Sequence, residues 1–124
     1  MRLDMIAILV PDYDDGIAFF TALGFRLVED EDRGAGKRWV VLEPPDGGSR
    51  ILVAKAVGTQ RAAIGQQAGG RVGFFLHSTD FARDAARIEA AGGRFSEAPR
   101  DEPYGRVAVF VDPFGNRWDL IEPA

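Results

Sequence analysis

The chain has 124 residues, 46% hydrophobic and 27% charged, with a net charge of −4. That length makes one globular domain with a real core and excludes a disordered chain. The charge balance, with no Lys/Arg run, excludes a nucleic-acid footprint; the absence of cysteine excludes disulfides, thiolate metal sites and a cysteine nucleophile.

Leu3–Val10 reads as a strand apolar on both faces, hence buried on both, and it ends at Pro11-Asp12. Asp12 or Asp14 caps a helix over Asp14–Leu23, with Ile17 and Phe20 on one stripe and Gly24 as its stop. Phe25–Glu29 is a second strand, Glu29–Lys37 a polar hairpin loop, Arg38–Leu42 a third strand. Pro44–Gly48 turns the chain into a fourth strand, Arg50–Ala54. Residues 58–70, rich in Gly and Gln, read as a linker or mobile loop. No apolar run approaches the ~18–20 residues of a membrane span, and the short run Met5–Val10 is no signal peptide, so a soluble cytoplasmic protein is expected.

The pattern then restarts. Arg71–Ser78 is a strand, Asp80 caps a helix carrying Phe81, Ala85 and Ile88, and Gly92-Gly93 ends it. Arg94–Glu97 is a strand, Ala98–Gly105 a polar loop, and Arg106–Val111 and Arg117–Ile121 are the last strands. Between these two, Asp112-Pro113-Phe114-Gly115-Asn116 reads as a tight turn, since Pro113 fixes φ, Gly115 permits positive φ and Asn116 tolerates it. Gly48–Val53 overlays Gly115–Leu120, and Asp12 stands to Gly24 as Asp80 does to Gly92. The chain is therefore an α+β duplication of a β-α-β-β-β unit: module one over 1–57, linker 58–70, module two over 71–124. Two such curved sheets side by side leave a concave face suited to a small ligand.

The run Asp112-Pro113-Phe114-Gly115-Asn116-Arg117-Trp118-Asp119-Leu120 resembles the terminal signature of the vicinal oxygen chelate superfamily. That group includes glyoxalase I, extradiol dioxygenases and the fosfomycin- and bleomycin-resistance proteins. The resemblance implies a fold of the glyoxalase/bleomycin-resistance/dihydroxybiphenyl-dioxygenase type, as a homodimer. It also implies four positions for a divalent metal: the start of each module's first strand and the end of each fourth strand. Here these hold Met5, Gly73, Leu52 and Asp119. Only Asp119 is a donor for such a metal, and catalytic ions generally need about three protein ligands. The expectation is a fold without its standard metal centre, with no cofactor, binding a small organic molecule as the bleomycin-resistance proteins do. The alternative is a metal-dependent lyase, isomerase or dioxygenase with a non-standard site at His77 and Asp119. A third reading is a module that associates with another protein.

Each candidate in the concavity has two readings. His77 is the one histidine and has the parity of Gly73. It is either a base or hydrogen-bond partner, because imidazole ordinarily titrates near neutrality, or a strand-end residue bonded to backbone or solvent. Asp119 either pairs with His77 and holds a ligand, or makes a salt bridge to Arg50 or Arg117. Glu102 and Tyr104 sit in a loop that covers the pocket in related proteins; Tyr104 either bonds a ligand or packs on Pro103. Trp39 either stacks on a flat ligand or belongs to the core. Parity makes Phe75 the pocket wall and sends Phe74 toward the helix.

Overall fold

The computed structural model describes residues 1–124. The chain divides into two units, Met1–Ile64 and Gly65–Ala124. The first holds β1 (Met5–Val10), α1 (Tyr13–Ala22), β2 (Arg26–Gly34), β3 (Lys37–Glu43) and β4 (Arg50–Lys55). The second holds β5 (Val72–His77), α2 (Phe81–Ala90), β6 (Arg94–Phe95), β7 (Arg100–Glu102), β8 (Gly105–Val111) and β9 (Arg117–Pro123). The strand orders are β1-β4-β3-β2 and β5-β9-β8-β6, each with one parallel pair at the head. The duplication also survives at the level of register. Ala7 lies opposite Leu52 as Phe75 lies opposite Asp119, and Leu9 opposite Ala54 as His77 opposite Ile121. The fold is α+β, two sheets carrying the two β-α-β-β-β modules.

Both helices stop in the same way. The Gly24 amide donates to Thr21 and the Phe25 amide to Phe20; the Gly92 amide donates to Glu89 and the Gly93 amide to Ile88. This paired closure needs a left-handed residue after the cap, and Gly24 and Gly92 both have φ 99°. The starts differ. Asp80 accepts from the Arg83 amide through its side chain, whereas Asp12 occupies the cap position of α1 with no side-chain bond.

Alternation divides each sheet into a helix-covered face and one that its module's helix leaves open, although Val41 and Val107 on that second face are buried. In module one Ile8, Val10, Val40, Leu42 and Val53 are buried under α1. α1 lies close to this face because residue 16 has no side chain: a Cβ there would come within 2.6 Å of Val53. In module two Trp118 and Phe110 stack at 5.8 Å, Phe74 packs on Trp118 at 4.8 Å, and Phe95 bridges Phe110 to Phe81 of α2. Phe74 thus takes the helix side, as its parity requires. The expectation that β1 is buried on both faces is not met: Ile8 and Val10 are buried, but Ala7 on the other face is exposed.

Three stretches differ from their sequence reading. Glu29–Lys37 is no loop but the continuation of β2 and the start of β3, joined through Ala35 and Gly36. Its acidic residues are edge-strand residues held to β3, with Asp30 accepting two bonds from Arg38. Ala98–Gly105 contains β7, which pairs with β8 from Arg100 to Glu102. The single long β2 of module one is thus split in module two into β6 and β7, at the place where β2 has only a bulge between Leu27 and Glu29. Pro99 lacks the amide needed to continue the ladder. Lastly, residues 58–70 hold a 3-10 helix, Gly58–Ala63, and a turn that packs on module two. There the Gly65 α-carbon sits against the backbone of Phe114 and Gly115, where a Cβ would be 2.3 Å from the Phe114 carbonyl oxygen.

The turn ahead of β9 closes on one carboxylate. Asp112 is 4% exposed, and its Oδ1 accepts from the Phe114 and Asn116 amides at 2.9 and 3.0 Å. Its Oδ2 accepts from Asn116 Nδ2 at 3.0 Å and from the Trp118 indole at 2.9 Å. Asp112→Ala leaves buried donors unpaired and should lower stability by about 3 kcal/mol or more, a fall of about 10 °C in melting temperature by calorimetry. Gly16→Ala should lower stability by about 1 kcal/mol in urea denaturation. The helix-propensity gain of about 1 kcal/mol is outweighed by overpacking against Val53.

Candidate functional site

The open face of module two carries the second-module site candidates. Phe75 and His77 of β5 point there, beside Asp119 and Ile121 of β9 and Val107 and Val109 of β8. Phe75 is 57% exposed, an unusual state for a large aromatic on a strand. His77 is exposed on the same face, two residues along from Phe75. No hydrogen bond joins His77 to Asp119: β5 register sets Phe75, not His77, opposite Asp119.

Asp119 Oδ1 is buried and has no hydrogen-bond partner. Neither salt bridge expected for it forms, since Arg50 is engaged by Asp4 at 2.7 Å in module one and Arg117 has no carboxylate partner. The cation nearest in effect is Arg100, which is spoken for. Arg100 Nε donates to Glu97 Oε1 at 3.1 Å and its Nη1 to Glu102 Oε1 at 2.9 Å. Glu97 Oε1 also accepts from the amide of Val109, the residue opposite Asp119. Burial holds the Asp119 carboxyl above the usual carboxylate range; Arg100 draws it down and Glu97 pushes it up again. The Val109 amide, and then Arg100, hold Glu97 low.

β7 delivers Arg100 and Glu102 to the sheet. Tyr104, at the tip of the β7–β8 turn, is 57% exposed. Trp39 belongs to module one, half-buried on that module's open face, with its indole donating to Glu29 at 3.4 Å and Arg33 above its ring at 5.5 Å. Sequence reading missed Glu97 and Arg100. Their signal is two charged residues three apart flanking Pro99, divided in the sequence reading between the end of a strand, Glu97, and a polar loop, Arg100.

The four positions that the family resemblance assigns to metal ligands do not make a donor set. Met5, Leu52 and Gly73 supply neither imidazole nor oxygen, and no three His, Asp or Glu side chains gather closely enough to hold an ion. Gly73 has left the ladder altogether: Val72 pairs with Arg117 and Phe74 with Trp118, so Gly73 is an extra residue in a bulge. A Cβ at 73 would lie 2.6 Å from that of Ala68.

The model of the Glyoxalase/Bleomycin resistance protein/Dioxygenase superfamily matches residues 2–120. An uncharacterized protein of Shewanella frigidimarina is 45% identical over 121 residues, which cover 94% of this chain and 90% of that one. Among solved structures, UcmS2 is 29% identical with a TM-score of 0.79, covering 98% of both chains. TnmS3, an antibiotic binding protein from Streptomyces sp. CB03234, is 25% identical with a TM-score of 0.76, covering 100% of this chain and 97% of its own. No helix is long and apolar enough to cross a membrane. With the repeated strand order, the matched register and a family model spanning nearly its full length, the chain belongs to the Glyoxalase/Bleomycin resistance protein/Dioxygenase superfamily.

Proposed function

We propose that this protein binds a small organic molecule on the open face of module two without a metal ion. One observation carries the reading: a buried, unpartnered carboxylate oxygen of Asp119 beside the exposed ring of Phe75. A buried acceptor without a donor costs free energy that a ligand N–H or O–H recovers. Glu97, Glu102 and Asp119 around one arginine leave an excess of negative charge, which selects a cationic or donor-rich ligand. Phe75 offers a flat apolar surface for an aromatic or polycyclic body. The described binding of an antibiotic by TnmS3, a relative in fold and sequence, supports this class of ligand. His77 borders the same face and takes part as a hydrogen-bond partner. The homodimer implied by the family resemblance belongs to this proposal, since a second copy would shield Phe75; light scattering checks it.

The test is a thermal-shift and native mass-spectrometry screen of planar basic molecules in the presence of chelator. Binding should persist with chelator and weaken at least about tenfold in Asp119→Asn and Phe75→Ala, because hydrogen bonds to a charged group are worth about 1.5–3 kcal/mol. Binding that appears only with one equivalent of added divalent ion would overturn the reading.

A second expectation concerns pH. Because the folded state favours protonated Asp119, the wild type loses stability as pH rises through the raised carboxyl pKa. Asp119→Asn should therefore be more stable than wild type at neutral pH. That advantage should vanish below the ordinary carboxylate range, where both carry a neutral side chain. Melting curves from pH 3 to 8 measure it.

A further inference from the structure

The second module has a cavity of about 210 Å³ at the end of its sheet where β5 and β9 begin. Its floor and walls include Gln66, Gly70, Val111 and Asn116, and three arginines, Arg71, Arg94 and Arg117, reach it; no carboxylate lines it. Every other arginine of this module is ion-paired: Arg83 and Arg87 with Asp84, Arg100 with Glu97 and Glu102, Arg106 with Asp101. In a chain of net charge −4, carboxylates are not scarce, yet none forms an ion pair with these three exposed arginines. Arg71 Nε donates to the carbonyl of Val72, which leaves its terminal nitrogens for another acceptor.

Sheet register explains the convergence. Arg94 lies opposite Val111, Val111 opposite Arg117, and Arg117 opposite Val72, with Arg71 next in the chain. Arg94, Val111, Arg117 and Val72 form one row across the sheet, and Arg71 precedes its last member. Two strand spacings separate Arg94 from Arg117, about 9.5 Å between α-carbons, a span that two long side chains close around one anion. The bulge at Gly73 and the docked turn at Gly65 open the space between them. At about 30 Å³ per water, the cavity has room for a tetrahedral oxyanion and the first atoms of the molecule that bears it.

We propose that Arg71, Arg94 and Arg117 form a binding site for the phosphate group of a small phosphomonoester, set two residues along β9 from Asp119 on the same side of the sheet and independent of that residue's reading. A phosphomonoester carries close to two negative charges and three terminal oxygens near neutral pH, matching three fork-shaped donors better than a carboxylate does. Gln66 borders the site with an amide group that recognises the remainder of the ligand.

The probes are inorganic phosphate and phenyl phosphate, titrated calorimetrically at constant ionic strength against chloride and benzoate. Phosphate and phenyl phosphate should bind the wild type, with benzoate at least about tenfold weaker. Arg94→Gln and Arg117→Gln should each weaken phosphate binding about tenfold or more, while leaving the melting temperature of the free protein near wild type, because neither guanidinium is ion-paired. Arg117→Lys should fall between, keeping charge but losing the fork. Arg61→Gln, in the 3-10 helix outside the cavity, should bind phosphate as the wild type does. Equal affinity for benzoate, or full binding by the Arg94→Gln/Arg117→Gln double variant, would overturn the proposal. So would an oligonucleotide that displaces phenyl phosphate at lower concentration than any phosphomonoester, which would assign the arginines to a nucleic-acid backbone.

Discussion

The second module is built on the Asp112 carboxylate. Four donors converge on its two oxygens, two of them backbone amides of the turn it opens and one the indole of Trp118. A buried carboxylate is costly unless its lone pairs are filled, and here the turn that follows fills them. The geometry has two effects at once. It fixes the direction in which the chain leaves β8, and it places Trp118 over Phe110 and Phe74 in the core. Once Trp118 is set, alternation forces Asp119 to the opposite face. β9 lies between β5 and β8, so its placement decides which residues of both neighbours share a face with Asp119.

That dependence explains what could be read from the chain alone. The turn at 112–116 was legible because Pro, Gly and Asn each carry a backbone preference visible without neighbours. The duplication was legible because Gly24 and Gly92 close their helices by the same pair of bonds, and equal spacing followed. Phe75 was assigned to the open face by counting residues, and parity is sound from Phe74 to His77, beyond the bulge. β7 and the long β2 were hidden because edge strands carry charged residues, and charge in a Gly- or Pro-containing stretch resembles a loop. The acidic residues of β2 pair with cations across the ladder, as Asp30 does with Arg38; that pairing belongs to tertiary structure. The Arg94–Arg117 row was equally hidden, since residues so far apart in sequence become neighbours only through the register of β6, β8 and β9.

The two modules share a plan and have parted in chemistry. Leu52 and Asp119 hold equivalent places, one across from Ala7 and the other across from Phe75. Module one thus presents an apolar row where module two presents a carboxylate and an aromatic ring. The same divergence marks the next strand: continuous in β2, interrupted after β6, where the excursion lets Glu97 reach the Val109 amide and Arg100 approach the sheet. The Glu97–Arg100–Glu102 cluster of module two exists because that strand broke.

The bulge at Gly73 limits what this position can carry. The family resemblance implies an imidazole here, and one substitution would write it into the sequence. Yet Ala68 fills the space that any new side chain would need, and Gly65 is wedged against the Phe114 carbonyl with no slack to give. A histidine here requires the preceding turn to be rebuilt first. What this position can hold is thus dictated by a neighbouring segment rather than by the strand that carries it.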